Sequence, residues 1–455
     1  MINDEQNCTY FILPTDIRDP EKLKRFLDGR TEWQEEQEAF PLQYTLQYAS
    51  RMAKPGDNRL HVYRYTSGKT LPVCMQSEKL KKSSASESRP ELGEIMLYIF
   101  GCGVAFLEFR VVYGEMYFDE IVEFVAWFRS LRNNESSGHI QEGTISLETA
   151  ARQILPEDES GTIHCFSNPS DLKRQANIYT ILKHEKLRKE EIEREKVSRK
   201  EEARTKKGGY DEAELELLRR YRDKLTHGYR GYKTVADISE TSDYKMCLDL
   251  PQKKEFWGGS QDGLVCISEE QWYSNLTVDY HFQYLLLLTQ RSSAIRCIDR
   301  LSSLDCSNRS RLMDQYDQVK EINCNLIDIK TRYLFRVISD EFFVQNIYSR
   351  MYHVLEIEDL FRDLEDINDQ LRYIQQEEQQ LAQEETKKQE EKLETLLGVV
   401  SLLAVFSALV DLAAYIVMCA NGKEWPFALG SFVIVLASLV IGLRHLSKII
   451  DRIHR

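Results

Sequence analysis

The sequence predicts an α/β cytosolic domain followed by a long stalk helix and a two-helix transmembrane hairpin. Three observations carry that prediction. Short runs rich in β-branched and aromatic residues alternate with amphipathic helical stretches over residues 1–268. No Pro or Gly interrupts residues 331–397. Two apolar segments close the chain, 396–419 with Asp411 as its one charge and 426–443 with none. A helix needs about 20 apolar residues to cross a bilayer core, and both segments approach that length.

The averages over the chain exclude several classes. The chain has 455 residues, with 60 Lys+Arg against 73 Asp+Glu and a net charge of −13, which rules out a broadly basic nucleic-acid binder. A hydrophobic content of 42% is too low for a polytopic membrane protein. The ten cysteines show no CxxC pair and no framework spacing, so they read as reduced thiols. The opening MINDEQNCTYFILP lacks a basic region followed by an apolar one, so it is not read as a signal peptide.

Strand candidates in the first part are 60–65, 95–100, 104–112, 162–166, 245–250 and 263–267. The run IMLYIF-GCG-VAFLEFRVV reads as two strands joined by a glycine turn, a hairpin and not a dinucleotide-binding loop. A helix follows, with Ile121, Val122, Val125, Phe128 and Leu131 on one face. Residues 79–90 read as a polar loop and 183–207 as a solvated, charge-laced helix. A further helix is expected at 211–224. Residues 272–304 and 307–329 read as a helical pair, placed as a 269–330 segment packing on the stalk.

The stalk is expected at 331–395, and a helix continuing through Cys419 would approach ~130 Å. Leu360, Leu364, Ile367, Leu371, Ile374 and Leu381 form a heptad seam, with Glu378 at the skipped position. A lone helix of that length is poorly supported. Between a solvated linker and a stalk of several copies, the seam favours oligomerisation.

Residues 396–419 are the first expected span, 420–425 an outer loop, 426–443 the second span and 444–455 a basic tail. Lys387, Lys388 and Lys392 precede the first span, and Arg444, Lys448, Arg452 and Arg455 follow the second. The loop holds only Lys423, so the bias puts both termini in the cytoplasm and the chain in the plasma (inner) membrane. Ala404, Ser407, Asp411, Ala414, Met418 and Asn421 share one helix face, small or polar. Two readings of Asp411 stand. Either a ring of carboxylates lines a cation path between copies, or a protonated Asp411 makes an interhelical hydrogen bond. The ring is favoured, because two spans per chain enclose no aqueous path alone.

No catalytic signature is present, whether GxSxG, HExxH, a Walker loop or an EF-hand, so no enzyme is expected. The nine His have no metal-ligand spacing with Cys or carboxylates, and no resident metal site is assigned. One stretch mixes cations and aromatics: Arg219, Arg220, Tyr221, Arg222, Lys224, His227, Tyr229, Arg230, Tyr232 and Lys233. It reads either as an amphipathic helix end whose charges meet acidic neighbours or as a site for a small anionic ligand, with Arg219, Arg220, Tyr221, Arg222, Tyr229 and Arg230 as its contacts. The patch is too short to argue for RNA. The loop FWGGSQDGLVCI, with Gly258, Gly259 and Gly263, reads either as a pocket wall or as a simple turn.

The layout resembles the CorA divalent-cation transporter superfamily from Trp272 onward. The shared features are a long helix entering the membrane as the first span, a short outer loop, a second span and a basic C-terminus. In that family the loop begins Gly-Met-Asn, with Met-Pro following. Here it reads CANGKEWPF, so Asn421 and Pro426 match, Cys419 and Ala420 replace Gly-Met, and Trp425 replaces Met. Asn421, Glu424 and Pro426 are then the outer-loop residues. The loss of Gly-Met puts Mg²⁺ selectivity in question. The chain also resembles the CRISPR-associated CorA membrane effectors, which accompany type III systems. That resemblance implies a pentameric channel or effector of antiviral defence, gated by a nucleotide second messenger, an S-adenosylmethionine–AMP conjugate (SAM-AMP), bound in the cytosolic domain. The alternatives are a divergent transporter of Mg²⁺ or another divalent cation gated by cytosolic metal, and a membrane-anchored interaction protein without a pore.

Overall fold

Alternation of side chains along Cys8–Ile17 explains the architecture. This strand, β1, is buried on both faces, with Phe11 and Leu13 turned one way and Tyr10 and Ile12 the other. In the computed structural model the described residues are 7–17, 20–37, 40–53, 59–66, 90–114, 116–129, 147–155, 163–165, 176–183, 212–227, 246–250, 255–268, 275–304, 315–420 and isolated positions between 430 and 444. Nearly all of the expected loop 79–90 and of the charged segment 183–207, and most of the second span, 426–443, lie outside them. The described positions in that span, among them Ile434, Leu436 and Val440, are helical.

Ten strands form one mixed sheet. They are β1, β2 (Trp33–Glu35), β3 (Leu60–Tyr65), β4 (Glu91–Phe100), β5 (Val104–Val112), β6 (Ile163–Cys165), β7 (Asn177–Lys183), β8 (Met246–Leu250), β9 (Glu255–Gly259) and β10 (Gly263–Ser268). Their order is β2-β3-β4-β5-β1-β7-β10-β9-β8, with β6 also pairing β1. Among the described residues only the β7–β10 pairing is parallel. Phe11 lies opposite Phe109 of β5 and Ile178 of β7. Pro14, which has no N–H to give a ladder, sits where β7 pairing stops at Ile12 and β6 pairing begins at Thr15.

The expected β4–β5 hairpin is present, with Phe100 opposite Val104. Gly103 takes φ +84 in its turn, and a side chain there would run into the Arg296 guanidinium. Arg296 in turn donates to the carbonyls of Ile17 (2.9 Å), Cys102 (3.3 Å) and Gly103, tying the turn to the next layer.

Helices cover both sheet faces. On one side lie α1 (Pro20–Asp28), α3 (Phe118–Phe128), α4 (Leu147–Ile154) and α5 (Glu212–His227). Leu23, Ile121, Phe124, Ala151, Leu218 and Tyr221 from these helices pack with Phe11, Leu107, Phe109, Val265 and Phe256 from the strands. The short α2 (Gln47–Ser50) lies in the connection between β2 and β3. On the opposite face sits α6 (His281–Ser302), continuous with a π-turn over Leu276–Tyr280 and buried on all sides through Gln290. Then come α7 (Tyr316–Arg332), α8 (Phe342–Val354) and α9 (Ile357–Ala420).

The expected continuous stalk from residue 331 is corrected here. The chain leaves helix after Arg332, and Gln345 Oε1 accepts from the N–H of Ile338 (2.8 Å) and of Ser339 (3.2 Å), stabilising a non-helical connection. It breaks again at Glu356, whose φ of +54 is left-handed and whose carboxylate accepts from Gln261 Nε2 at 2.8 Å. The unbroken helix is therefore the 64 residues of α9, or ~96 Å at about 1.5 Å per residue. Ile357, Phe361, Leu364 and Leu371 are buried along it, whereas Ile367 and Leu381 of the expected seam are exposed. The chain divides into two compact units, 1–366 and 367–455.

Candidate functional site

Three places carry candidate chemistry. The first is α5. Its apolar positions Leu217, Leu218, Tyr221 and Leu225 face the core, leaving its cations toward β8 and α3. Arg219, Arg220, Tyr221 and Arg222 of the expected patch lie on this helix, while Tyr229 and Arg230 fall outside the described residues. Tyr221 is 2% exposed and meets Phe118 edge-on at 5.4 Å, so its ring is enclosed. Arg222 lies between Asp223 (2.9 Å) and Asp249 of β8. Burial works against its charge. Asp223, Cys247 and Asp249 outweigh that and push its pKa above the ordinary value. Arg219 donates through Nε to Asp249 Oδ2 at 2.8 Å, with its side chain 40% exposed. These guanidinium–carboxylate contacts hold β8 to α5. Arg219 and Lys224 are both part-exposed and paired, Lys224 with Asp119 of α3 at 3.7 Å.

The second place is the apolar part of α9. Ala404, Ser407, Asp411, Ala414 and Met418 are all exposed and share one side of the helix. Val405, Leu409, Leu412 and Ile416, spaced 4, 3 and 4 residues apart, are the only partly covered positions in 399–418, and they lie on the other side. Asn421, Glu424 and Pro426 lie outside the described residues.

The third place was not singled out from the sequence. Glu108 of β5 and His281 at the start of α6 pair at 2.6 Å, being 1% and 3% exposed. Tyr98 donates to Glu108 Oε1 at 3.2 Å. The imidazole lies against the rings of Tyr10 (4.4 Å) and Tyr179 (5.9 Å). The signal for it was a carboxylate, Glu108, inside the strand VAFLEFRVV, where every other position but Arg110 is apolar and a buried charge requires a partner. The pair joins sheet and helix, and its burial gives a substrate no approach.

Beside the β4–β5 turn, a cavity of about 220 Å³ is lined by Cys102, Ser293, Arg296, Cys297 and Arg300, among others. Its cations are engaged: Arg296 by three carbonyls and Arg300 by Glu321 at 2.9 Å. The Cys102 thiol turns toward Ser293 Oγ (3.3 Å), and burial pushes its pKa up to about 11, which keeps it a poor nucleophile at neutral pH. Among the described residues no group of three or more His, Cys, Asp or Glu is arranged to hold a metal.

These features define an α/β protein with a mixed ten-stranded sheet and one described helix long and apolar enough to cross a membrane. Comparison with protein-family models, curated proteins and solved structures finds no match.

Proposed function

We propose that the chain is an oligomeric, CorA-like membrane channel or effector of type III CRISPR antiviral defence. In this reading a nucleotide second messenger of the S-adenosylmethionine–AMP type binds the α/β domain and tilts α9. Five copies would then open a path lined by Asp411. The observation that supports it is the continuity of α9. Its first turns carry the buried Ile357, Phe361 and Leu364, and the same helix runs without a break into the apolar segment that ends at Ala420. In this reading that continuous helix would carry a movement at one end to the other. The exposed small and polar face around Asp411, set across the helix from its partly covered side, suits the lining of a path between copies. In this reading the part-exposed Arg219, which pairs with Asp249, would offer its guanidinium to the phosphate.

The test is cation flux through liposomes holding the full chain, with and without the nucleotide. Nucleotide-dependent flux that changes at least several-fold with Asp411→Asn is the expected result. No flux under either condition sinks the channel reading. Mg²⁺ flux that needs no nucleotide and is blocked by cobalt hexammine would favour the transporter instead.

A further inference from the structure

A second cavity, of about 270 Å³, opens between the edge of the sheet, the π-turn before α6 and the start of α8. Its walls are aromatic: Trp257 of β9, Tyr280 of the π-turn, Tyr44 from the segment before α2, and Phe343 of α8. Two carboxylates, Glu255 and Glu341, and the Asn275 amide make up the polar part of the lining, and no Lys, Arg or His is among the described lining residues. We propose that this cavity binds a small organic cation, an alkylammonium or similar onium group, held against the faces of Trp257, Tyr280 and Tyr44 and neutralised by Glu255 and Glu341.

Three observations carry the assignment. The rings are arranged as a corner and not as a flat stack, since Trp257 and Tyr280 have centroids 4.9 Å apart and planes tilted by 46°. Aromatic faces carry a negative quadrupole, which an onium group takes up and an anion avoids. Among the described lining residues the charge is of one sign. Glu255 is buried at the base, where it accepts from Trp257 Nε1 at 3.4 Å, and Glu341 lies at the exposed end of α8. Burial and the negative charges around it, those of Glu255 and Glu341 included, push the Tyr280 phenol up, consistent with an electronegative interior.

The third observation is that the walls are already in place. Asp279 is buried and accepts from the N–H of Gln43 (3.2 Å) and of Tyr44 (3.0 Å) and from the Thr45 hydroxyl (3.0 Å). Ser339 Oγ donates to the Tyr44 carbonyl and accepts from the N–H of Glu341 (3.1 Å). One loop and one helix start are therefore fixed by the same hydrogen bonds. A preformed site loses less entropy on binding. The volume lies just below the roughly 300–1,000 Å³ of drug-sized pockets, so the occupant is a head-sized group and not a dinucleotide. The inference is independent of any channel activity.

The experiment is calorimetric titration of the full chain, in a detergent without an onium group, with choline and with 3,3-dimethylbutan-1-ol, the uncharged molecule of the same shape. Binding of choline at least ~10-fold tighter than its neutral twin is expected. Equal affinity for both reduces the cavity to an apolar pocket, and binding of neither overturns the proposal. Trp257 is fully buried, so its replacement risks unfolding and is avoided. Tyr44→Phe keeps a ring face and should hold choline affinity within about 2-fold, whereas Tyr44→Leu should weaken it by ~10-fold. Glu341→Gln, at an exposed position, should weaken choline by about 3-fold and leave the neutral twin unaffected. If Tyr44→Leu and Glu341→Gln both bind choline like the parent, the site is wrong. Competition by dodecylphosphocholine at equal headgroup concentration marks a lipid head as the occupant, and its absence a free onium. Either result supports the site.

Discussion

Cys102 shows how one side chain records its surroundings. The residue sits in the tight β4–β5 turn, yet its thiol is turned inward toward Ser293, and burial raises its pKa to about 11 against an ordinary value near 9. The sign of the pH effect follows from proton counting. Below about pH 9 the thiol is protonated in folded and unfolded chains alike, and its contribution is complete. Between about 9 and 11 the unfolded chain gives up the proton while the folded one retains it, so stability drains away as pH rises. The urea midpoint of the parent, compared with that of Cys102→Ser, should therefore fall progressively from pH 9 to pH 11. The tyrosines that titrate in the same range are common to both chains and cancel in the comparison. A difference that stays flat over that range would show the thiol to be solvated. Glu108 makes the complementary point, since a carboxylate in the middle of a buried strand is kept there by His281 and Tyr98.

At the level of elements, glycines set how closely strands and helices approach. A Cβ on Gly263 would lie 2.9 Å from the Ile178 carbonyl oxygen, which is backbone of the parallel partner β7 and cannot step aside. At Gly259 the nearest obstacle is the flexible thioether of Met351. Gly263→Ala is therefore expected to cost about 1–3 kcal/mol, and Gly259→Ala less. Thermal midpoints of the two variants test the order, and a larger drop for Gly259→Ala would refute it. The same residues explain what could be read in advance. VAFLEFRVV announces β5 to the residue, because every position is apolar or paired inside. β9 was hidden because EFWGG ends in two glycines, which weaken a strand signal, and Gly258 is demanded by the approach of Thr226 and Arg222 from α5. β1 was hidden by Pro14 and by its place at the start of the chain, although the proline falls where two neighbouring strands leave a gap. The stalk was read too long because no Pro or Gly marks the breaks. One break is held by Gln345, a few residues on, and the other by the distant Gln261, and neither contact has a Pro or Gly to announce it. The basic patch on α5 was legible as residues. That Asp249 would meet both Arg219 and Arg222 depended on placing β8 beside α5. The aromatic cavity was beyond reach, since its four rings come from four separate stretches of chain.

For the whole molecule, the decisive quantity is apolar surface with nothing on it. Leu403, Phe406 and Val410 are each 62% exposed and Met418 is 77% exposed. Burying apolar area is worth about 25 cal/mol per Å², and a run this long is not left in water by a monomeric protein. A lipid bilayer covers such a helix on its apolar sides, while small and polar positions such as Ser407 and Asp411 turn toward another helix or toward water. The full chain is therefore expected in the membrane pellet, resistant to alkaline carbonate and released by detergent. Leu403→Arg combined with Val410→Arg places two charges within the apolar run, each costing about 2.5–3.5 kcal/mol at the centre of a span. That pair should shift the chain out of the carbonate-resistant fraction, whereas Ser407→Ala, which keeps the segment apolar, should not. Release of the parent chain by carbonate alone would mean that α9 lies on a surface instead of crossing it. A path lined by Asp411 would then have no bilayer to pass through.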